Sequence, residues 1–228
     1  MHIAGAAAPP EPGQIAAVVL AGGLASRLGG ADKPGVRILG RSLLATVTRA
    51  AIGAGASRVV IVGPPRPDLA AEVVDDGAQP DSAAGVSIEF TSERPPGSGP
   101  VPALRAGLEL VAQPRLVLLA ADLPFLRAGD VRALLASTDG AAVAGSMFVD
   151  GQGRPQWLAS CWRTASLRSA LESYQGTSLG GLLGPLRPAE VWTSAVAGQP
   201  PPWLDLDTRE DVAEALALAT QESPLAER

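Results

Sequence analysis

The sequence predicts an α/β fold of three layers, with helices on both faces of a mainly parallel β-sheet. Apolar runs rich in β-branched residues alternate with alanine- and leucine-rich segments at helical spacing, which is the pattern of successive βα units. The runs at 18–20 and 116–120 are apolar without interruption rather than alternating. Such strands are covered on both faces, so these two belong at the centre of the sheet.

The predicted elements follow one another in a regular order through the first half of the chain. Strands are predicted at 15–21, 58–63, 86–91 and 115–121. The helices between them begin at Ser42, Pro67 and Pro102. The second half is less regular and predicts helices from about 130 and at 165–174, 179–186 and 211–220, with strands at 141–149 and 156–162.

Length and composition predict one domain between two tails. The chain has 228 residues, of which 46% are hydrophobic, enough to bury a full core. We expect a disordered tail at 1–14, a single domain at 15–220 and a flexible tail at 221–228. The first fourteen residues lack both a positively charged start and a long apolar stretch, so neither a signal peptide nor a membrane span is expected.

Charge and the scarcity of two residue types exclude several functions. The formal net charge is -5, and no block of Lys and Arg offers the footprint of a nucleic-acid binder. Cys161 is the only cysteine, which excludes an internal disulfide, and the only histidine is His2 in the predicted tail. These absences favour a cytoplasmic enzyme that uses carboxylates, lysine and backbone amides.

A glycine-rich stretch follows the first predicted strand. Gly22 and Gly23 allow a sharp turn there and bring backbone amides close to a ligand, at the sheet edge where α/β proteins bind ligands. Neither GxxxxGK[ST] nor GxGxxG is present, but Arg27 and Lys33 supply cations for phosphate. Spacing alone leaves two interpretations open, a nucleotide site or a structural loop with two solvated charges.

Residues 20–34, LAGGLASRLGGADKP, resemble the glycine-rich signature of the MobA-like nucleotidyltransferases. The residues that carry the resemblance are Leu20, Ala21, Gly22, Gly23, Ser26, Arg27, Gly29 and Lys33. Later segments are similar to the family's GPLAGI, CDMPF, GxPQPLxALYR and xNTPEDL segments, in that order: SGPVPALRAGLE, LLAADLPFL, GRPQWLASCWR and LDLDTREDV. The resemblance runs from 15 to about 218 and is strongest to members that guanylylate molybdenum cofactor.

The resemblance implies the nucleotide-diphospho-sugar transferase fold, which is Rossmann-like. It also implies transfer of GMP from GTP to the terminal phosphate of a molybdopterin-type acceptor, with Mg²⁺ as cofactor and pyrophosphate as product. The implied nucleotide-binding residues are Leu20, Ala21, Gly22, Gly23, Arg27, Lys33 and Asp122, of which the last three are the catalytic set. The implied metal ligands are Asp122 and Asp207. Transient contact with molybdoenzymes or other cofactor-biosynthesis proteins is a further implication.

Several alternatives stay open at this point. The enzyme could be a cytidylyltransferase for molybdenum cofactor, or could act on a sugar phosphate, methylerythritol phosphate or another phosphorylated small molecule. A regulatory protein that binds nucleotide without catalysis is the rival from another class, and retention of Arg27, Lys33 and Asp122 together argues against it.

Position along the chain supports a metal-binding role for Asp122. It directly follows the strongest apolar strand, where a carboxylate suits Mg²⁺ that bridges phosphate oxygens. The alternative role is to cap the following turn. Asp205 and Asp207 would share a face of a strand, so either could be a second ligand, while Asp207 or Thr208 could instead cap the last helix.

The other polar and aromatic candidates have weaker signals. Glu93 lies near the place where the family has an acidic residue beside the nucleotide, but the sequence favours a surface glutamate. Gln156 corresponds to a substrate-side contact in the family. Cys161 and Trp162 are expected in the core. The remaining aromatic candidates, which could stack on a pterin although strand aromatics usually pack, are Trp157, Trp192 and Trp203.

Overall fold

The computed structural model describes residues 13–22, 33–38, 40–74, 85–139, 143–192, 200–206 and 209–221. Its strands are β1 (Ile15–Leu20), β2 (Arg37–Ile38), β3 (Arg41–Ser42), β4 (Ala56–Val62), β5 (Ser87–Thr91), β6 (Arg115–Ala120), β7 (Gly145–Val149), β8 (Pro155–Arg163) and β9 (Ala189–Trp192). Its helices are α1 (Leu43–Gly53), α2 (Leu69–Val74), α3 (Pro100–Glu109), α4 (Ala128–Ser137), α5 (Thr164–Ser173), α6 (Leu179–Leu183) and α7 (Arg209–Gln221).

Seven strands form the central sheet, in the order β5-β4-β1-β6-β8-β7-β9. Only β8 runs antiparallel to its neighbours among these seven, because β1, β4, β5 and β6 pair in parallel and β7 pairs in parallel with β9. The six parallel strands therefore end at one edge of the sheet, where β8 begins, and we call it the carboxyl edge. The mainly parallel α/β fold predicted from the sequence is confirmed.

The central strands separate two buried layers, as their continuous apolarity predicts. Alternate residues of β1 point to opposite faces: Ile15, Ala17 and Val19 join one core cluster, and Ala16, Val18 and Leu20 join the other. Helices α1 and α4 contribute to the first cluster, and α3, α5 and α6 to the second. All six residues of β1 are buried. This confirms the predicted arrangement of three layers.

Helix α3 packs unusually close to the sheet at Gly107. A Cβ atom at this position would lie 2.7 Å from Val18 Cγ1 and 2.9 Å from Val62 Cγ2, closer than real Cβ contacts allow. Because α3 follows β5, this contact fixes a helix that begins at the carboxyl edge directly over β1 and β4. The backbone that leads into α3 is thereby held beside the ends of those two strands.

The sequence missed the shortest elements. The hairpin of β2 and β3 has two residues on each strand, and β9 has four, too short for a period of two to be recognised. The strand predicted at 141–149 starts only at Gly145, and the helix predicted at 179–186 ends at Leu183 and continues as a 3-10 turn. Residues 1–12 and 222–228 lie outside the described residues, so the predicted tails stay predictions. Among the described helices, none combines the length and apolarity needed to span a bilayer.

Candidate active site

An ion pair between Lys33 and Asp122 lies at the carboxyl edge. Asp122 is the second residue after β6, and Lys33 opens a 3-10 turn at Lys33–Gly35. Lys33 Nζ lies 2.5 Å from Asp122 Oδ2, with side chains that are 20% and 17% exposed. Within the described residues, the Asp122 carboxylate thus pairs with a cation instead of capping the turn after β6. Two residues that the sequence selected separately meet in one place.

The backbone just after β1 lies between the ends of its two neighbouring strands. Ala21 N–H donates to the Val62 carbonyl over 2.9 Å, and Ala121 N–H donates to the Leu20 carbonyl over 3.1 Å. A Cβ atom on Gly63 would lie 2.9 Å from the carbonyl carbon of Ala21, so only glycine allows this approach. The predicted nucleotide-binding segment, Leu20 to Gly22, therefore leaves the sheet next to Asp122.

The expectation that Glu93 is a surface residue is wrong. Its side chain is 7% exposed, and Oε1 accepts a hydrogen bond from Gly97 N–H over 2.8 Å. The loop after β5 folds back over its own beginning, with φ +76° at Gly97, and encloses the carboxylate. A Cβ atom on Gly22 would lie 3.8 Å from that same Oε1, so Glu93 faces the glycine turn after β1.

An open depression adjoins Glu93 between the end of β5 and the outer side of α3. It has a volume of about 790 Å³, and its charged lining consists of Glu93, Arg94, Arg105 and Glu109. Sequence position alone could have pointed to Glu93, since it follows β5 as Asp122 follows β6. The charge-rich, proline-rich loop around it instead suggested solvent exposure.

Several predicted site residues lie outside the described residues. These are Gly23, Arg27 and Asp207, and their roles stay predictions. Leu206, which precedes Asp207, is fully buried in a cluster that also contains Phe125 from the loop after β6. Asp205 is exposed.

Gln156 lies near the start of β8, at the carboxyl edge. Strand β6 pairs with β8 so that Leu119 lies opposite Ala159. The pairing of β6 with β8 ends there, and β8 reaches its start with Gln156 opposite Phe148 of β7. Gln156, the predicted substrate-side contact, therefore lies at the same edge of the sheet as the ion pair.

The core predictions for the second half are confirmed. Cys161 and Trp162 are 0% exposed, and burial raises the pKa of the Cys161 thiol to about 11. The thiol is therefore protonated at neutral pH and is not a nucleophile. Trp203 packs on Phe148 with ring centroids 5.5 Å apart, and Trp157 packs half-buried against the α3 side of the sheet.

The donor groups fit a small, hard cation that completes its shell with substrate phosphates. Mg²⁺ in phosphate-transferring sites takes one or two carboxylates together with phosphate and water. Asp122 supplies one carboxylate at the right edge, and no group of three or more potential ligands occurs in the described part of the chain. The arrangement suits a metal held jointly with a nucleotide better than a permanent protein cage.

A mainly parallel sheet with a glycine turn after β1 and an aspartate after β6, both at the carboxyl edge, defines the class of Rossmann-like nucleotidyltransferases. The family model of the MobA-like NTP transferase domain matches residues 17–190. The chain belongs to this family, and it is a nucleotidyltransferase. The resemblance predicted from the sequence is confirmed.

Known relatives agree with this assignment. The chain is 30% identical over 218 residues to a protein from Bradyrhizobium sp. (strain ORS 278) named molybdenum cofactor guanylyltransferase, covering 91% of this chain and 94% of that protein. It is 32% identical over 226 residues to a protein of the same name from Rhodopseudomonas palustris (strain BisB5), covering 91% and 95%. A solved nucleotidyl transferase from Methanothermobacter thermautotroptrophicus has a TM-score of 0.68 at 17% identity, covering 92% and 99%, and shows the same fold.

Proposed function

We propose that the protein transfers GMP from GTP to the terminal phosphate of a molybdopterin-type acceptor and releases pyrophosphate, with Mg²⁺ as cofactor. The observation that carries the proposal is the Lys33–Asp122 ion pair beside the backbone of Leu20 to Gly22. The names of the two relatives support the choice of substrates. The proposal includes a cytoplasmic location and transient delivery of the product to other proteins of the same biosynthesis.

Different residues of the site hold different parts of the nucleotide. The backbone of Leu20 to Gly23 faces the base and ribose, while Lys33 and Arg27 hold the triphosphate. Asp122, with Asp207 as the second ligand, holds Mg²⁺. The bound cation supplies charge neutralisation at the phosphate oxygens.

The protein contributes to this reaction mainly by positioning the two substrates and by stabilising the transition state electrostatically. A terminal phosphate oxygen of the acceptor attacks the α-phosphorus of GTP, and the bond from that phosphorus to the bridging oxygen of the β-phosphate breaks. The departing pyrophosphate keeps the bond's electron pair, and Lys33 and Arg27 compensate its charge. No histidine is needed as a general base, since the attacking oxygen already carries negative charge.

The choice of nucleotide can be tested directly. The purified protein is incubated with Mg²⁺ and molybdopterin and with GTP, CTP, ATP or UTP in turn, and products are identified by mass. We expect the GMP adduct to dominate. Equal or greater product with CTP contradicts the guanylyl assignment and favours the cytidylyltransferase alternative. Tight GTP binding without any product favours the regulatory alternative.

Glu93 gives a second test of where the nucleoside lies. Glu93→Gln keeps the size of the side chain and can still accept from Gly97 N–H, but it removes the charge next to Gly22. Because charge-assisted hydrogen bonds are about twice as strong as neutral ones, we expect the KM for GTP to rise roughly tenfold with a smaller change in kcat.

The control for this test is Glu109→Gln, an exposed carboxylate on the same depression but at the far end of α3. We expect its kinetic constants to match those of the unaltered protein. A KM for GTP that stays unchanged in Glu93→Gln would place the nucleoside away from this carboxylate.

A further inference from the structure

Trp192 exposes its indole ring at the carboxyl edge. It is the last residue of β9 and is 58% exposed, whereas Val191 before it packs against the core. The other three tryptophans of the chain pack on protein: Trp162 is fully buried, and Trp157 and Trp203 are half-buried on core clusters. Trp192 is therefore the one tryptophan whose ring is mainly open to solvent.

The position of Trp192 relative to Asp122 follows from the sheet. Strands β6, β8, β7 and β9 are consecutive neighbours, so β9 lies three strand spacings from β6, roughly 14 Å at about 4.8 Å per spacing. Met147 of β7 and Leu118 of β6 both pair with Ser160 of β8, so Val149 is level with Ala120. Because Val149 pairs with Trp192, Trp192 is level with Ala120 and lies two residue positions short of Asp122 along the strand direction. An elongated acceptor with its phosphate at Asp122 can thus reach Trp192 with its other end.

The turn between β7 and β8 is held beside the indole. Asp150 Oδ1 accepts hydrogen bonds from Gln152 N–H over 2.8 Å and from Arg154 N–H over 2.9 Å, which fixes the turn. Gly153 in this turn has φ +76°, and a Cβ atom on it would lie 3.9 Å from Trp192 Cη2. At Gly153 the turn presents no side chain to the ring, and the indole stays mainly exposed beside it.

We propose that Trp192 is a stacking platform for the fused heteroaromatic ring of the phosphorylated acceptor, with a pterin as the ring class. The inference rests on the proposed function for its substrate and deepens it by naming the residue that holds the acceptor. A planar ring stacks on an indole without needing a specific hydrogen-bond pattern. The polar residues Arg154 and Gln156 lie in the adjoining turn and strand, where they are available to form hydrogen bonds with the edge of the pterin ring. Trp192 binds the acceptor and takes no part in the bond-making step.

The test compares Trp192→Ala and Trp192→Phe with the unaltered protein in two measurements. The first is the steady-state transfer of GMP to molybdopterin, with KM determined separately for acceptor and GTP. The second needs no turnover: an oxidised pterin monophosphate is titrated with each protein, and the bound fraction is measured by equilibrium dialysis. Leu110→Ala is the matched control, since Leu110 is also an exposed apolar side chain but lies between α3 and the start of β6 at the opposite edge.

We expect Trp192→Ala to raise the acceptor KM and the pterin Kd about tenfold, with the KM for GTP unchanged. Trp192→Phe should stay within about threefold of the unaltered protein, because a phenyl ring still stacks. A merely structural role would move both KM values or the melting temperature. An acceptor KM that stays within twofold in Trp192→Ala overturns the inference and leaves the guanylyl transfer intact.

The remaining outcomes are also decisive. If the unaltered protein forms no product with molybdopterin, the proposed function fails, and pterin binding alone decides the role of Trp192. Pterin binding weakened in Trp192→Ala and kept in Trp192→Phe then supports the platform, and equal binding by all three proteins, or none, overturns it. If the ring instead contacts a second copy of the chain, Trp192→Ala changes the sedimentation mass without changing the acceptor KM, which overturns the inference as well.

Discussion

Asp122→Asn is expected to lower Mg²⁺-dependent turnover by two orders of magnitude or more. The substitution keeps the size of the side chain but removes the negative charge that holds Mg²⁺ against bulk water. A hundredfold loss corresponds to roughly 3 kcal/mol of transition-state stabilisation, at about 1.4 kcal/mol per tenfold. The measurement is kcat/KM for GTP at saturating acceptor over a range of Mg²⁺ concentrations.

The folded state should tolerate the same substitution. Asp122 and Lys33 are 17% and 20% exposed, and the amide oxygen of the substituted side chain would still accept a hydrogen bond from the lysine amine. Because this hydrogen bond is kept, we expect the free energy of unfolding without metal to change by no more than about 1 kcal/mol. A structural role for Asp122 predicts the reverse, with clear destabilisation and nearly full activity, so a stable and active Asp122→Asn protein would refute the metal assignment.

Asp130→Asn provides the matched control for Asp122→Asn. Asp130 lies in the first turn of α4, where its Oδ2 accepts a hydrogen bond from Arg127 N–H over 2.8 Å. The amide oxygen of the substituted side chain can still accept this hydrogen bond, so we expect both the melting temperature and kcat/KM to stay close to those of the unaltered protein. The two variants together separate the effect of charge at the site from the effect of losing a carboxylate elsewhere.

The centre of the sheet was predicted correctly from the sequence because a continuous apolar run identifies a buried strand without reference to the rest of the chain. Strand β1 and residues 116–120 of β6 are uninterrupted apolar runs, and the positions of Gly22 and Asp122 follow from the ends of these strands. Sequence also placed Lys33 near this edge by resemblance, but the contact of Lys33 with Asp122 depends on how the chain after β1 returns, which no local pattern encodes. The antiparallel direction of β8 is likewise a tertiary property.

Glu93 and Trp192 show where local reasoning is insufficient. A glutamate followed by Arg-Pro-Pro-Gly has the composition of an exposed loop, and it is buried only because the loop folds back so that Gly97 N–H meets its carboxylate. Trp192 has the composition of a packed strand residue, and it is exposed because β9 is short and lies at the edge of the sheet. In both cases the exposure of the side chain is decided by the path of the backbone around it, which the composition of the segment does not encode.

Lys33→Ala is expected to lower kcat/KM for GTP by about a hundredfold, since it removes a cation from the triphosphate and the departing pyrophosphate. The core should remain intact, because none of the residues in the 3-10 turn at Lys33–Gly35 is buried. The control is Arg37→Ala in the hairpin of β2 and β3. It removes an exposed cation that pairs with Glu72 of α2, and it should leave turnover unchanged.

Lys33 is also the only lysine in the chain, which allows a chemical test of the same prediction. Pyridoxal 5'-phosphate, an aldehyde that carries a phosphate group, followed by borohydride should attach covalently to the Lys33 amine, and peptide mass mapping distinguishes this site from the terminal amine. We expect an excess of GTP to protect Lys33, and the label to vanish in Lys33→Ala. Because Lys33 and Asp122 are in contact, Asp122→Asn should still be labelled there, since the amine remains at the phosphate site. Unchanged kcat/KM in Lys33→Ala, together with labelling that GTP does not prevent, would reduce the whole glycine-rich stretch to a structural loop.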